Sequence, residues 1–238
     1  LYSSTVEATG SGTVNITGTG GGNSGAGTNN DGIFLTTAST VRSASGALSL
    51  VGVGGQNGGS EGIEVVSSTL GNSSSPGSGA VTLRSDLIYF SGSHLYGTGA
   101  LTIEPYSASF PNAFTWNGSL SGSDLVGSGT AGQSFSGLTI HNLSSLGGLT
   151  LGKSGNTADI AVGVATSIAG PINLYGGNIN LNANLTSTAS NAAILAKASG
   201  NITQAAGVDV ATSGGNGTYW ADSDANGAGY IALNGTSG

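Results

Sequence analysis

The run Asp222-Ser-Asp224-Ala-Asn226-Gly227 places oxygen-bearing side chains at alternate positions ahead of a glycine. A calcium loop of the D-x-D-x-N-G type begins this way: alternate oxygens converge on the ion and glycine permits the turn. A full calcium-binding hand also needs a glutamate further on, and that position holds Leu233. Helical flanks are missing as well. Asp222, Asp224 and Asn226 are therefore read either as a looser calcium turn or as an acidic surface loop between repeats.

A second set is Asp31, Glu61 and Asp86, which recur at one place in successive repeats. Stacked in register, their carboxylates would line one edge and could hold a cation, or serve as a pair in glycoside hydrolysis. Without a cation they would repel one another. The plainer reading is a turn-forming acid at each strand entrance. Lyase chemistry would need a base beside the acids, and Arg84 near Asp86 is thin support for that. A third set is aromatic: Tyr89, Phe90, Tyr96, Tyr106, Phe110, Phe114 and Trp116, with a smaller group at Tyr219, Trp220 and Tyr230. Tyr106, Trp116 and Trp220 are candidate platforms for sugar rings, against the alternative that the aromatics fill core. His94 and His141 are far apart in sequence and show no partner there. The sequence holds no GxSxG, HExxH or phosphate-binding loop.

The elements that would position these residues come from a repeat. Gly-x-apolar-x-apolar occurs as GTVNI (12–16), GALSL (46–50), GAVTL (79–83) and GALTI (99–103), at steps of 34, 33 and 20 residues. A second element follows as DGIFL (31–35), EGIEV (61–65) and DLIYF (86–90). A third follows as STV (39–41), STL (68–70) and SHL (93–95). The segment between the first and second elements shrinks from TGTGGGNSGAGTNN to VGVGGQNGGS to RS, as a surface corner of variable length does. The pattern blurs over 104–136. It returns as GLTL, ADIAV and TSI (from 148 to 168), then as PINL, GNINL and STA (171–189), with GNIT and GYIAL in the tail.

Each element alternates apolar and polar over about four residues, the mark of a short half-buried strand. No helical periodicity is sustained. Three strands per turn with Gly-, Asn- and Ser-rich corners predict an all-β chain, a parallel β-helix, with Val14, Ile16, Ile33, Leu35 and Val41 facing inward. Glycine at the corners is expected to supply positive φ. Coils are expected over 1–103 and 137–238, continuing beyond the chain, around an irregular aromatic-rich stretch at 104–136. A β-sandwich is the weaker competitor, because antiparallel hairpins would not keep the three-strand order.

Composition fits such a stack. Only 6% of residues are charged, against roughly 25% in ordinary globular domains. Small neutral polar side chains can stack in ladders where like charges cannot. Net charge is −7, from eleven acids and four bases, Arg42, Arg84, Lys153 and Lys197. That excludes the basic footprint of a nucleic-acid binder. No apolar run approaches the roughly 18 residues of a transmembrane helix. Cysteine is absent, so there are no disulfides or thiolate metal sites. With Leu1 first and no Met, the sequence reads as a mature product or a fragment.

The stretch GLTLGKSGNTADIAVGVATSIAGPINLYGGNINLNANLTSTA, and IAGPINLYGGNINLNANL above all, resembles the repeat regions of very large bacterial exoproteins of the filamentous-haemagglutinin type, exported by two-partner secretion. The resemblance covers about 100 residues well and the rest loosely. It implies a right-handed β-helix at a bacterial cell surface or outside the cell, with roles in adhesion, aggregation or biofilm and no catalytic residues. The expected partners are a host or neighbouring-cell surface, glycans, or copies of the chain itself. No cofactor is required; a calcium ion at the Asp222 loop is the one candidate. A self-assembling extracellular filament and a polysaccharide-binding or polysaccharide-cleaving protein are the alternatives.

Overall fold

The computed structural model of the chain describes residues 1–21, 30–55, 60–116 and 137–237. Strands come in groups of three. The first is β1 (Thr5–Ala8), β2 (Val14–Thr19) and β3 (Ile33–Leu35); the second is β4 (Thr40–Ser43), β5 (Leu48–Val53) and β6 (Ile63–Val66). Next come β7 (Thr69–Gly71), β8 (Val81–Arg84) and β9 (Ile88–Ser91), then β10 (Ser93–Tyr96), β11 (Ala100–Glu104) and β12 (Phe114–Trp116). They are followed by β13 (Leu138–His141), β14 (Gly148–Leu151) and β15 (Ile160–Val162), then β16 (Thr166–Ile168), β17 (Ile172–Gly176) and β18 (Ile179–Leu181). The last are β19 (Leu185–Ser190), β20 (Ile194–Ala198) and β21 (Ile202–Gln204), then β22 (Asp209–Ser213), β23 (Gly217–Trp220), β24 (Ile231–Leu233) and β25 (Thr236–Ser237). A single 3-10 turn at Leu143–Ser145 is the one helical piece among the described residues.

Every pairing between these strands is parallel and joins strands three places apart. The first strands of the repeat form one eight-stranded sheet, β2-β5-β8-β11-β14-β17-β20-β23. The second strands form β3-β6-β9 and β12-β15-β18-β21-β24; the third form β1-β4-β7-β10-β13 and β16-β19-β22-β25. The chain is thus all-β with parallel sheets. Among the described residues no helix is long and apolar enough to cross a membrane.

Alternation puts one apolar ladder after another inside. Val14, Leu48, Val81, Leu101, Leu149, Ile172 and Ile194 stand in register along the long sheet. Leu50, Leu83, Ile103, Leu151 and Leu174 form the neighbouring ladder, each fully or almost fully buried. Adjacent rungs of such a ladder lie about 4.8 Å apart, so every methyl group packs on its counterpart above and below. Ile16, expected inside, is only half-buried, because β2 is the end strand of its sheet. The blurred stretch rejoins the pattern at β12: Phe114 and Trp116 stand in register with Ile160 and Val162. Residues 117–136 of that stretch, and 22–29 and 56–59 of the variable corner, lie outside the described residues.

Two expectations are corrected. The phrase STA (187–189) is not the third strand in register with TSI. Leu185 pairs with Thr166 and Ser187 with Ile168, a shift of two residues that puts the apolar Leu185 inside. Buried Ser187 donates its hydroxyl to the Gly170 carbonyl, 2.8 Å. Corner glycines do supply positive φ at Gly71, Gly92, Gly152 and Gly214, for example, but the glycine that opens each first element does not: Gly12, Gly46, Gly79 and Gly99 have none. Space is the reason. These residues stack directly: a Cβ on Gly46 would fall on the Gly12 carbonyl, one on Gly79 on that of Gly46, and one on Gly99 on that of Gly79. The column continues with a Cβ on Gly170 meeting the Gly147 carbonyl, and admits a methyl at one level, Ala192.

A side-chain ladder seals the corner before the second strand. Asp31 Oδ1 accepts from the Glu61 amide (2.9 Å), and Asp86 Oδ1 from the Ser107 amide (2.8 Å). Asp159 Oδ1 accepts from the Asn178 amide (2.7 Å), Asn178 Oδ1 from the Asn201 amide (2.9 Å), and Asn201 Oδ1 from the Tyr230 amide (3.1 Å). Each level thereby satisfies a corner N–H of the next.

Gly79→Ala should lower the unfolding free energy by about 1–3 kcal/mol, the usual cost of forcing atoms into a packed interior. Gly10→Ala, with nothing within 4 Å of the new methyl, should leave it nearly unchanged. Urea unfolding of the two variants against the parent checks the difference.

Candidate functional site

The variable corner and the outward faces of its strands carry most of the chemistry. Asp31 precedes β3 and Glu61 precedes β6, so the register brings them together as expected. The third member is Glu64, not Asp86. Glu64 is the outward residue of β6, between Phe34 of β3 and Tyr89 of β9. One oxygen from each of Asp31, Glu61 and Glu64 lies within 4.8 Å of the others. Asp86 keeps its register position, but its carboxylate turns to the Ser107 amide. Burial pushes Glu64 up from its ordinary 4.5 to about 7, helped by a hydrogen bond with Asp31 and by the charges of Asp31 and Glu61. Burial and the Asp31 charge also raise Glu61. Carboxylates crowded in this way share a proton or converge on a hard cation. Nothing in the spacing of EGIEV alone distinguishes Glu64 from any outward strand residue; the cross-level neighbour Asp31 makes it unusual.

Further along the same corner, outward residues of the long sheet line up as Tyr175, Lys197 and Trp220. The Lys197 ammonium sits 4.2 Å from the centre of the Trp220 ring, within range of a cation–π attraction. Beside this column lies a hollow of about 230 Å³, bordered by Lys153, Asn156, Tyr175, Lys197, Ser223 and Asp224. Its wall is held by Asn156, whose buried amide accepts from the Phe110 amide (3.1 Å) and donates to the Tyr175 carbonyl (2.7 Å). Lys153 Nζ donates to the carbonyl of Pro105 at 2.9 Å. Two cations, exposed aromatic faces and one carboxylate are groups that recognise sugars, anionic ones included.

The three candidate sugar platforms divide. Trp220 is 50% exposed, beside Lys197. Tyr106 is 44% exposed, with the Arg84 guanidinium 5.4 Å from its ring centre. Trp116 is 1% exposed and corrects the expectation: it is an inward residue of β12, and its Nε1 donates to Thr166 Oγ1 at 3.0 Å. Phe90, Phe110 and Phe114 are also core, as the plainer reading of the aromatics has it.

In the Asp222 loop the oxygens bind the loop itself. Asp222 accepts from the Gly227 amide (3.0 Å), Asp224 from the Asn226 side-chain amide (2.9 Å), and Asn226 from the Ala228 amide (2.8 Å). Asp222 and Ala225 both adopt positive φ. The set describes a self-bonded turn at the rim of the hollow, where Asp224 is exposed. The histidines give the largest departure from sequence reasoning. Parallel pairing of β10 with β13 brings His94 Nδ1 within 3.2 Å of His141 Nε2, and Tyr96 stacks on the His141 ring at 4.0 Å.

A carboxyl whose pKa rises on folding binds protons more tightly in the native state. Stability then falls as pH climbs from about 4.5 to about 7 and levels off above. The melting temperature should therefore be higher at pH 5 than at pH 8, and Glu64→Gln should remove most of that fall. Calorimetric melting of parent and variant at the two pH values checks it. No protein-family model matches this chain, and neither a characterised protein nor a solved structure shows significant similarity to it.

Proposed function

We propose that the chain is a right-handed parallel β-helix acting as a stiff adhesive rod on or outside a bacterial cell. The observation that carries this reading is the eight-stranded parallel sheet, in which every strand pairs with the one three places on. Strands so connected wind round a common axis, and parallel crossovers are right-handed in about 98% of cases. A stack of this kind gains length level by level without needing a wider core. The likeness of 148–189 to filamentous-haemagglutinin repeats supports the cell-surface setting. The half-exposed Trp220, the Lys197 beside it and the adjoining hollow supply a glycan-contact face on the rod wall. The rod acts by contact and turns over no substrate.

A second reading, a subunit of a self-assembling filament, is compatible with the two ends of the stack. Tyr2 and Phe34 are exposed at one end, and Tyr230, Ile231 and Leu233 at the other, beside strands with one unpaired edge. Further polypeptide of the same chain or another copy would cover such edges equally well, and end-to-end copies would form an open fibre.

Beads coated with the chain should attach to glycan-bearing surfaces under flow, and Trp220→Ala should reduce attachment several-fold. Coated beads that hold no better than albumin-coated ones would overturn the adhesive reading. Sedimentation across a hundredfold range of concentration separates the second reading, since a chain that stays monomeric throughout forms no filament.

A further inference from the structure

The chain contains two histidines, 47 residues apart, and the fold places both in one contact. Ser93 and Leu95 of β10 point inward, as do Leu138 and Ile140 of β13, so His94 and His141 stand on the outer face of the sheet. Both are half-exposed and within reach of a solvated ion. His94 pairs across with Thr139, and Tyr96 with His141, so the imidazoles meet on the diagonal between adjacent strands. Their positions are set by hydrogen-bonded backbone rather than by loops, and the Tyr96 ring, 8° from parallel with His141, fixes the orientation of that imidazole. Thr69 flanks His94 on the other side, and Gly71 flanks Tyr96, leaving that side of the face low.

We propose that His94 and His141 bind a late first-row divalent cation, Cu2+ most tightly, with water completing the coordination. Two nitrogens held about 2.0–2.1 Å from an ion lie about 2.9 Å apart when cis in the tetragonal geometry of Cu2+ and about 3.3 Å apart in a tetrahedral one. Nδ1 of His94 and Nε2 of His141 are already separated by 3.2 Å. Neutral imidazole suits copper, nickel and zinc, and affinity rises toward Cu2+ along the series. The bound ion would join β10 to β13, the last strand of its sheet and the first described strand after residue 116. It would act as a staple between two levels of the stack where the third-strand sheet ends.

Titration of the full chain with copper sulfate tests the site, followed by calorimetry and by the nitrogen hyperfine pattern in electron paramagnetic resonance. The expected result is one saturable Cu2+ per chain with two imidazole nitrogens. His94→Gln and His141→Gln should each weaken binding at least tenfold. Copper should raise the melting temperature of the parent and not of the variants. Variants that bind as tightly as the parent, or a copper signal arising from the terminal amine alone, would overturn the proposal. So would imidazoles that merely share a proton and show no saturable uptake.

Discussion

The close parallel stacking of one strand level on the next governs this molecule. At about 4.8 Å between levels, each residue meets the equivalent residue above and below before it meets anything else. Where corner backbone rests on corner backbone, a methyl group finds room at Ala192 alone among the column's described levels, and glycine recurs at 12, 46, 79, 99, 147 and 170. Where side chains point inward, the same proximity turns the apolar positions into continuous ladders. A repeat of Gly-x-apolar-x-apolar is what this single distance demands of a sequence.

The same distance explains how the chain handles charge. Like charges stacked at this spacing repel, and charge is scarce; the four cations all have partners. Arg42 faces Glu7 directly across two strands at 2.9 Å, and Arg84 faces Glu104 at 3.6 Å. Lys153 is held by a backbone carbonyl and Lys197 by an indole ring. Along the corner ladder the later levels use Asn178 and Asn201, which accept the next amide without adding charge. The earlier levels use Asp31 and Asp86, and crowd Glu61 and Glu64 beside Asp31. Repulsion and burial are there relieved by holding a proton, which is why Glu64 departs furthest from ordinary carboxyl behaviour.

The strands were legible because alternation and the glycine column are local signals. GTVNI, GALSL, GAVTL and GALTI became β2, β5, β8 and β11 in the register their spelling implies. Reasons that depend on contact between levels were not legible. Gly46, Gly79 and Gly99 look like turn formers until the overlying carbonyl is placed. Trp116 reads as a surface ring until β12 is found to continue the ladder of Val162. The shift at Ser187 follows from which residue enters the core, and the phrase STA gives no hint of it. His94 with His141, and Asp31 with Glu64, are separated by stretches of chain whose winding must be known before the pairs exist.

Because the interior is constrained at every position, functional variation is confined to outward positions and the one variable corner. Three such places concentrate chemistry: Phe34, Glu64 and Tyr89 on the second-strand face, His94, Tyr96 and His141 on the third-strand face, and Tyr175, Lys197 and Trp220 on the first-strand face. Each is a cross-level group on hydrogen-bonded strands, so its geometry is held by the ladder beneath it. A side chain on a flexible loop pays conformational entropy to meet its neighbour, whereas these are brought together by the pairing that builds the sheets. A repeat whose inside must stay constant can therefore carry a different surface on each level, and the outward groups follow one another at the spacing of the strands that bear them.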